Sequence, residues 1–269
     1  MDIETSSQQG GTLHDPRITL IIPCWRDVAA AWELARRHAN SPLIFEVIIA
    51  GVRGQDAFPV EGRIKICQVD RPGRGLQMNL GANAASGDML LFHHVDSLLT
   101  DGHLRALKEI ARAPHLVGGA FYRKFDERHP WMLWAEPIER WHSRTFGALY
   151  GDQSLFVRRE HFLRMGGFAP LPLMEDVEFS LRLRRSGSIA LLDPPMSSSP
   201  ARQLEQGAWR TTIRNLLFLL LFRGGVSPEF LHAWYYRRAP KVASNQGSPS
   251  ENNRYGAEPL HRLEEDRGT

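Results

Sequence analysis

Residues 72–99 read PGRGLQMNLGANAASGDMLLFHHVDSLL, and no other stretch of the chain restricts its fold so tightly. A Pro-Gly turn opens a helix whose faces carry the small residues Gly81, Ala82, Ala84 and Ala85. Ser86-Gly87-Asp88 ends that helix, and Met89 to Phe92 is a short apolar run that stops at His93-His94-Val95-Asp96. An open α/β sheet presents its ligand site beyond the carboxyl ends of its strands, so a strand stopping on a carboxylate marks such a site. Asp96 is therefore the leading functional candidate.

The flanking sequence continues the alternation. Ile18 to Pro23 is a continuous apolar run and reads as a buried strand. Asp27 is expected to cap a helix through VAAAWELARRHA, closed by Asn40 and Pro42. Phe45 to Ala50 and Arg63 to Val69 are two further strands, and a helix follows Asp101. This rhythm predicts an α/β fold with a mainly parallel sheet and right-handed crossovers. Residues 17–240 read as one domain, with polar, disordered segments at 1–16 and 241–269.

Composition narrows the class. Apolar content of 42% and charged content of 23% suit a globular protein, and a net charge of +3 with scattered basic residues does not suggest nucleic-acid binding. Cys24 and Cys67 offer neither a disulfide framework nor a CxxC metal site, and the polar N-terminus has no signal-peptide pattern. The expected location is the cytoplasm, or the inner face of the membrane.

The second half carries different signals. Trp131, Trp134 and Trp141 fall at helical spacing, where packing against the sheet is favoured over an aromatic sugar platform. Gly151-Asp152-Gln153 precedes an apolar SLFV strand, and RREHFLRM reads as a short helix stopped by Gly166-Gly167. Met174-Glu175-Asp176-Val177-Glu178 opens a helix ending in RLRRSG. Acids in its first turn and arginines in its last complement the helix dipole without any chemistry, and that reading stands level with a functional one. Adjacent helical residues point about 100° apart, so Glu175 and Asp176 are not expected to face one site together. Alternation in an extended segment predicts one of His93 and His94 buried and hydrogen-bonded. His94 and Asp96 share a face and could both approach a metal, although a hydrogen-bonding role for His94 is favoured. For Asp96 a turn or capping role before Ser97 stands level with a ligand role.

In order, the IIP strand, GRGLQMNLGANAASGDMLLFHHVDS, GDQSLFVRREHFLRMGGF and LMEDVEFSLRLRR resemble the inverting family-two glycosyltransferases. The likeness is strongest to a small bacterial branch with a GRxxQMNxGAxxAxGDxLLFLHAD block, and it runs from about residue 18 to 230. It implies a GT-A fold, with a nucleotide-binding half over about 17–100 joined to an acceptor half over about 101–240. Asp96, at the DxD position, would hold a divalent cation (Mg2+ or Mn2+) on a nucleotide-diphosphate sugar, with His94 as a weaker ligand. Asp176 would be the base that deprotonates the acceptor hydroxyl. Pro23, Trp25, Arg74, Gln77 and Asn79 would approach the nucleotide sugar. Asp152 and Gln153 would line the sugar or acceptor pocket, and Glu175, Arg202 and Gln206 would contact acceptor or diphosphate.

The residue types suit that chemistry. A hard cation held by a carboxylate, phosphates and water stabilises a diphosphate leaving group, and single-step inversion needs one base and no protein nucleophile. Two departures stand out: Ala50-Gly51-Val52-Arg53-Gly54 replaces the usual acidic residues after the second strand, and His94 replaces the first Asp of DxD. Cys24-Trp25-Arg26-Asp27 also stands where VLNE is more usual, and Trp25 there suits stacking on a base or packing equally. A nucleotidyltransferase is the alternative among enzymes, but Cys24 to Ala31 lacks the basic glycine-rich loop it needs. A non-catalytic nucleotide- or membrane-binding relative is the alternative outside them. Residues 210–223, RTTIRNLLFLLLFR, are too short in apolar length to span a bilayer. They form either a closing helix buried on the domain, the favoured reading, or an interfacial helix about 213–222 that would imply a lipid-linked acceptor.

Overall fold

The computed structural model describes residues 15–54, 62–125, 137, 140, 149–198 and 208–237. The strands are β1 (Ile18–Pro23), β2 (Glu46–Val52), β3 (Ile64–Val69), β4 (Met89–Phe92), β5 (Ser97–Leu98), β6 (Leu116–Phe125), β7 (Phe156–Arg158) and β8 (Ser188–Ser198). The helices are α1 (Val28–Ala39), α2 (Arg74–Ala84), α3 (Asp101–Ala111), α4 (Arg159–Arg164), α5 (Glu175–Ser186), α6 (Ala208–Arg223) and α7 (Pro228–Arg237), with a 3-10 turn at Gly151–Gln153. They form one sheet in the order β3-β2-β1-β4-β7-β6-β8-β5. β1, β2, β3 and β4 run parallel, β7 is antiparallel to both β4 and β6, and β8 is parallel to β6. The mainly parallel α/β sheet expected from the alternation is what the chain forms.

Strand alternation sorts the core into two layers. Leu20, Ile22, Ile49 and Leu91 face α1 and α3, packing on Ala31, Ala35, Leu104 and Leu107. Ile21, Ile48, Leu90 and Phe92 face the other way, onto Met78 and Ala82 of α2 and onto Phe162, Phe168 and Phe179. The small-residue face of α2 has a direct cause here: a Cβ on Gly81 would come within 2.6 Å of Ile21 Cγ2. Only a glycine lets α2 lie this close to β1, and that closeness carries Arg74, at the start of α2, to the carboxyl edge of the sheet.

Several local expectations shift. Asp27 occupies the position before α1, yet its side chain makes no capping hydrogen bond. Phe45 is 40% exposed outside β2, under the Arg17 guanidinium, and β2 instead extends to Val52. Ser154 and Leu155 precede β7 rather than joining it, because Ser154 takes a left-handed conformation with φ of 51°. The face of α6 carrying Phe218 and Leu219 is buried, but Leu216, Leu217 and Leu220 are exposed, so α6 is only half a buried closing helix. Trp131, Trp134, Trp141, Arg202 and Gln206 lie outside the described residues.

Candidate active site

The chain runs from β1 outward through β2 and β3, then returns to β4 on the other side of β1. Strand order therefore reverses between β1 and β4, and a crevice opens at such a reversal beyond the strand ends. Pro23 ends β1 and Phe92 ends β4, so residues 23–27 and 93–96 form the two lips of this crevice.

On the β1 lip Pro23 is buried, and the guanidinium of Arg26 lies over the Trp25 ring at 4.1 Å. One face of Trp25 is thus already engaged. Asp27 has its pKa raised by burial and, after that, by the negative charge of Asp96. The two carboxylates therefore sense one another across the crevice. Asp96 itself is exposed, in the turn after β4. Of the two histidines, His93 is the buried one: its Nδ1 pairs with Ser154 Oγ at 2.6 Å and its Nε2 with Ser97 O at 3.1 Å. Burial lowers its pKa to about 3. His94 is partly covered, and burial, then the charge of Arg74, then His93, hold its pKa well below the usual histidine value. Burial disfavours the charged form of both rings.

Arg74 ties this lip to the second half of the chain. Its Nη1 lies 3.4 Å from Glu175 Oε1 and 3.5 Å from Asp176 Oδ2. Gly151 N–H donates to the same Asp176 Oδ2 at 2.7 Å, and Val177 N–H donates to Oδ1 at 2.7 Å. A Cβ on Gly151 would overlap the Arg74 guanidinium, so glycine at 151 is what lets the cation reach the carboxylates. Segments 74, 151 and 175–176 thus converge on one guanidinium. Met174, just before α5, has φ of 66°, and Ser154, just after the Gly151–Gln153 turn, has φ of 51°. Left-handed non-glycine residues store strain and persist only where their surroundings impose them. Here they flank the two turns that present Gly151 and Glu175–Asp176.

The expectation that Glu175 and Asp176 could not face one site is corrected. Both reach the same Arg74 nitrogen, so the guanidinium bridges their directions. Glu175 is buried, and that burial, followed by the charge of Asp176, pushes its pKa up to about 7 against the opposing pull of Arg74.

Three expected contact residues are occupied elsewhere. Gln77 is fully buried, and its Nε2 donates to Cys24 O (2.6 Å) and Ala50 O (2.8 Å), clamping the ends of β1 and β2. Asn79 makes paired hydrogen bonds with the backbone of Phe168, at 2.9 and 2.8 Å. Gln153 is 1% exposed and its Oε1 accepts from Tyr150 N–H. Buried amides need partners, and here the backbone supplies them for the Gln77 Nε2, the Asn79 amide and Gln153 Oε1, whereas Gln77 Oε1 has no hydrogen-bond partner among the described residues. Asp152 is paired with Arg123 Nη1 at 2.5 Å, a partner no sequence motif announced. At the altered loop, Arg53 pairs with Asp70 at 2.6 Å. No group of three or more His, Cys, Asp or Glu suited to a metal occurs among the described residues.

No protein-family model and no curated protein sequence matches the chain. Solved structures do. A mannosyltransferase, PcManGT from Pyrobaculum calidifontis, in complex with GDP-Man and Mn2+, aligns over 83% of this chain and 70% of its own, at 19% identity and a TM-score of 0.56. TarS 1-349 of S. aureus aligns over 76% of this chain at 16% identity and a TM-score of 0.53, and the chain spans 64% of that fragment, just under two thirds. The same fragment in complex with UDP-GlcNAc aligns over 68% of this chain and 58% of its own, at 16% identity and a TM-score of 0.53. At such identities the likeness is one of fold, and the fold is GT-A.

Proposed function

We propose that this chain is an inverting glycosyltransferase that moves a sugar from a nucleotide-diphosphate donor to an acceptor hydroxyl with the help of a divalent cation. The observation that carries the reading is the convergence of Arg74, Gly151, Glu175 and Asp176 beside the β1–β4 crevice. The GT-A fold supports it, since structures of that fold have been solved with GDP-Man and Mn2+ and with UDP-GlcNAc.

The acceptor oxygen attacks the anomeric carbon as the bond from that carbon to the diphosphate oxygen breaks. The diphosphate leaves with the electron pair, and the acceptor proton passes to Asp176. Backbone N–H groups of Gly151 and Val177 hold that carboxylate in place. Arg74 supplies positive charge at the start of α2, where the helix dipole also favours an anionic ligand. Gln77 and Asn79 position this edge rather than touch the donor.

The residues fit a cation of the Mg2+ or Mn2+ kind. Asp96 is exposed at the crevice with Asp27 sensing its charge, and no fuller protein ligand set stands among the described residues. Such cations keep several waters and take substrate phosphates as ligands, binding protein through one or two carboxylates. Asp96 and Asp27 would hold it, with His94 in reserve as a neutral imidazole. When bound, the cation neutralises charge on the departing diphosphate.

A thermal-shift panel tests this reading. Mn2+ with the correct UDP-, GDP-, dTDP- or CMP-linked sugar is expected to raise the Tm by roughly 5–10 °C at about a hundredfold excess over Kd. Asp96→Asn should lose the metal-dependent part of that rise. An unchanged rise in the variant would remove Asp96 from the metal.

Gly151→Ala separates Arg74 from its carboxylates without substituting any of the three. The backbone at 151 accommodates alanine and keeps its N–H, while the new methyl group evicts the flexible guanidinium. Turnover is expected to fall about tenfold or more, on the order of the 1–2 kcal/mol of one charge-assisted contact, with the fold retained by circular dichroism. Undiminished turnover would show that Arg74 has no part in transfer.

A further inference from the structure

The geometry points to the α6–α7 hairpin as a docking surface for an anionic lipid membrane. α6 is apolar all round from Leu216 to Phe222, and such a helix is normally covered on every side. Here one side is covered: Leu219 is buried with Val177 of α5, and Phe222 packs on the same cluster. Phe218 stacks on Trp234 of α7, ring centroids 5.0 Å apart. Among the described residues nothing covers the opposite side. Leu216 is 49% exposed, Leu220 58%, and Phe230, in the first turn of α7, 61%. Leu216, Leu217 and Leu220 fall within about one third of the helix circumference at 100° per residue, so they form a single ridge.

Charge identifies what covers that ridge. Residues 208–237 hold Arg210, Arg214, Arg223 and Arg237 against Glu229 alone, whereas the entire chain carries only +3. Net positive charge is therefore concentrated in this hairpin. An exposed apolar ridge of Leu216, Leu217 and Leu220, with Phe230 exposed on α7 and the exposed Arg223 ending α6, in a segment of net positive sequence charge, is the pattern of a helix lying in the headgroup region of an anionic bilayer. Spanning is excluded for this helix, since 16 residues reach only about 24 Å, short of the roughly 30 Å hydrocarbon core. Docking would bring the Asp176 end of α5, which α6 contacts through Val177, up to the membrane surface. The inference needs only the hairpin and stands whether or not the chain transfers a sugar.

Co-sedimentation of the full chain with vesicles decides it. Vesicles of phosphatidylcholine containing about a third phosphatidylglycerol should bind the protein at least tenfold more tightly than phosphatidylcholine alone, with binding weakened by salt. Leu216→Glu combined with Leu220→Glu should lower the bound fraction at least tenfold, and Arg223→Glu should lower it severalfold. All three sites are exposed, so melting curves should match the parent. Leu163→Glu, at a 39% exposed leucine on α4, should leave binding unchanged. Equal binding to both vesicle types, no binding, or binding untouched by the leucine changes would overturn the inference. So would a dimer in sedimentation velocity that the same leucine changes dissociate, since a second copy would then cover the ridge.

Discussion

Asp176→Asn is expected to reduce sugar transfer by about a thousandfold while leaving donor binding within roughly threefold of the parent. The size follows from the role: a positioned general base contributes about 10²–10⁴ to the rate, and an amide cannot accept the proton. Donor affinity survives because the isosteric amide oxygen still accepts from Gly151 or Val177 N–H, so the turn at 151 and the start of α5 keep their places. Turnover measured beside a nucleotide-sugar binding isotherm makes the test. Transfer within about threefold of the parent would move the base elsewhere. A matched loss of donor affinity would instead identify Asp176 as a donor contact.

The second large effect concerns stability and its dependence on pH. Glu175 has a folded-state pKa raised to about 7 from its ordinary 4.5, mainly by burial and then by the neighbouring charge of Asp176. A carboxyl raised in this way favours the fold while it keeps its proton. That contribution is complete below about pH 4.5 and is lost as pH climbs through about 7. The parent should therefore lose stability across this window. Glu175→Gln stays neutral throughout, so its stability relative to the parent should improve by on the order of 1–3 kcal/mol between pH 4.5 and 8. In melting curves this is several degrees, and a constant difference between the two proteins across the window would refute the assignment. Arg74 opposes the shift, so Arg74→Leu should steepen the parent's own loss over the same range, by leaving the buried Glu175 and the partly buried Asp176 facing each other without a cation.

Much of the scaffold was legible because it rests on local periodicity. Continuous apolar runs at Ile18–Pro23 and Met89–Phe92 can only be strands covered on both faces, and the turn at Pro72-Gly73 starts the intervening helix. The alternation of His93 and His94 correctly set one ring in the core. The candidate site was legible only as a set of segments. Glu175 and Asp176 were read from the spacing of a straight helix as facing apart, whereas a third residue 101 positions away lies between them. The resemblance would bring Gln77 and Asn79 to the nucleotide sugar and Gln153 to the sugar or acceptor pocket, and in the fold each amide is hydrogen-bonded to backbone. Arg123 beside Asp152 and Asp27 across from Asp96 belong to no pattern a linear reading could isolate.

Sequence alone determined the α/β class and the alternation β1-α1-β2-β3-α2-β4 that brings Pro23 and Phe92 to the carboxyl edge of the sheet, since these follow from the hydrophobic period and from turn residues, whereas β5, β6, β8 and α7 were not legible in it. Tertiary structure alone decided which polar side chains are available there. Availability depends on whether burial has already tied a group to a backbone partner or a distant charge, and such pairings join residues far apart in the chain. It also decided that one side of α6 faces outward, because a helix apolar all round carries no mark of which side its own domain covers.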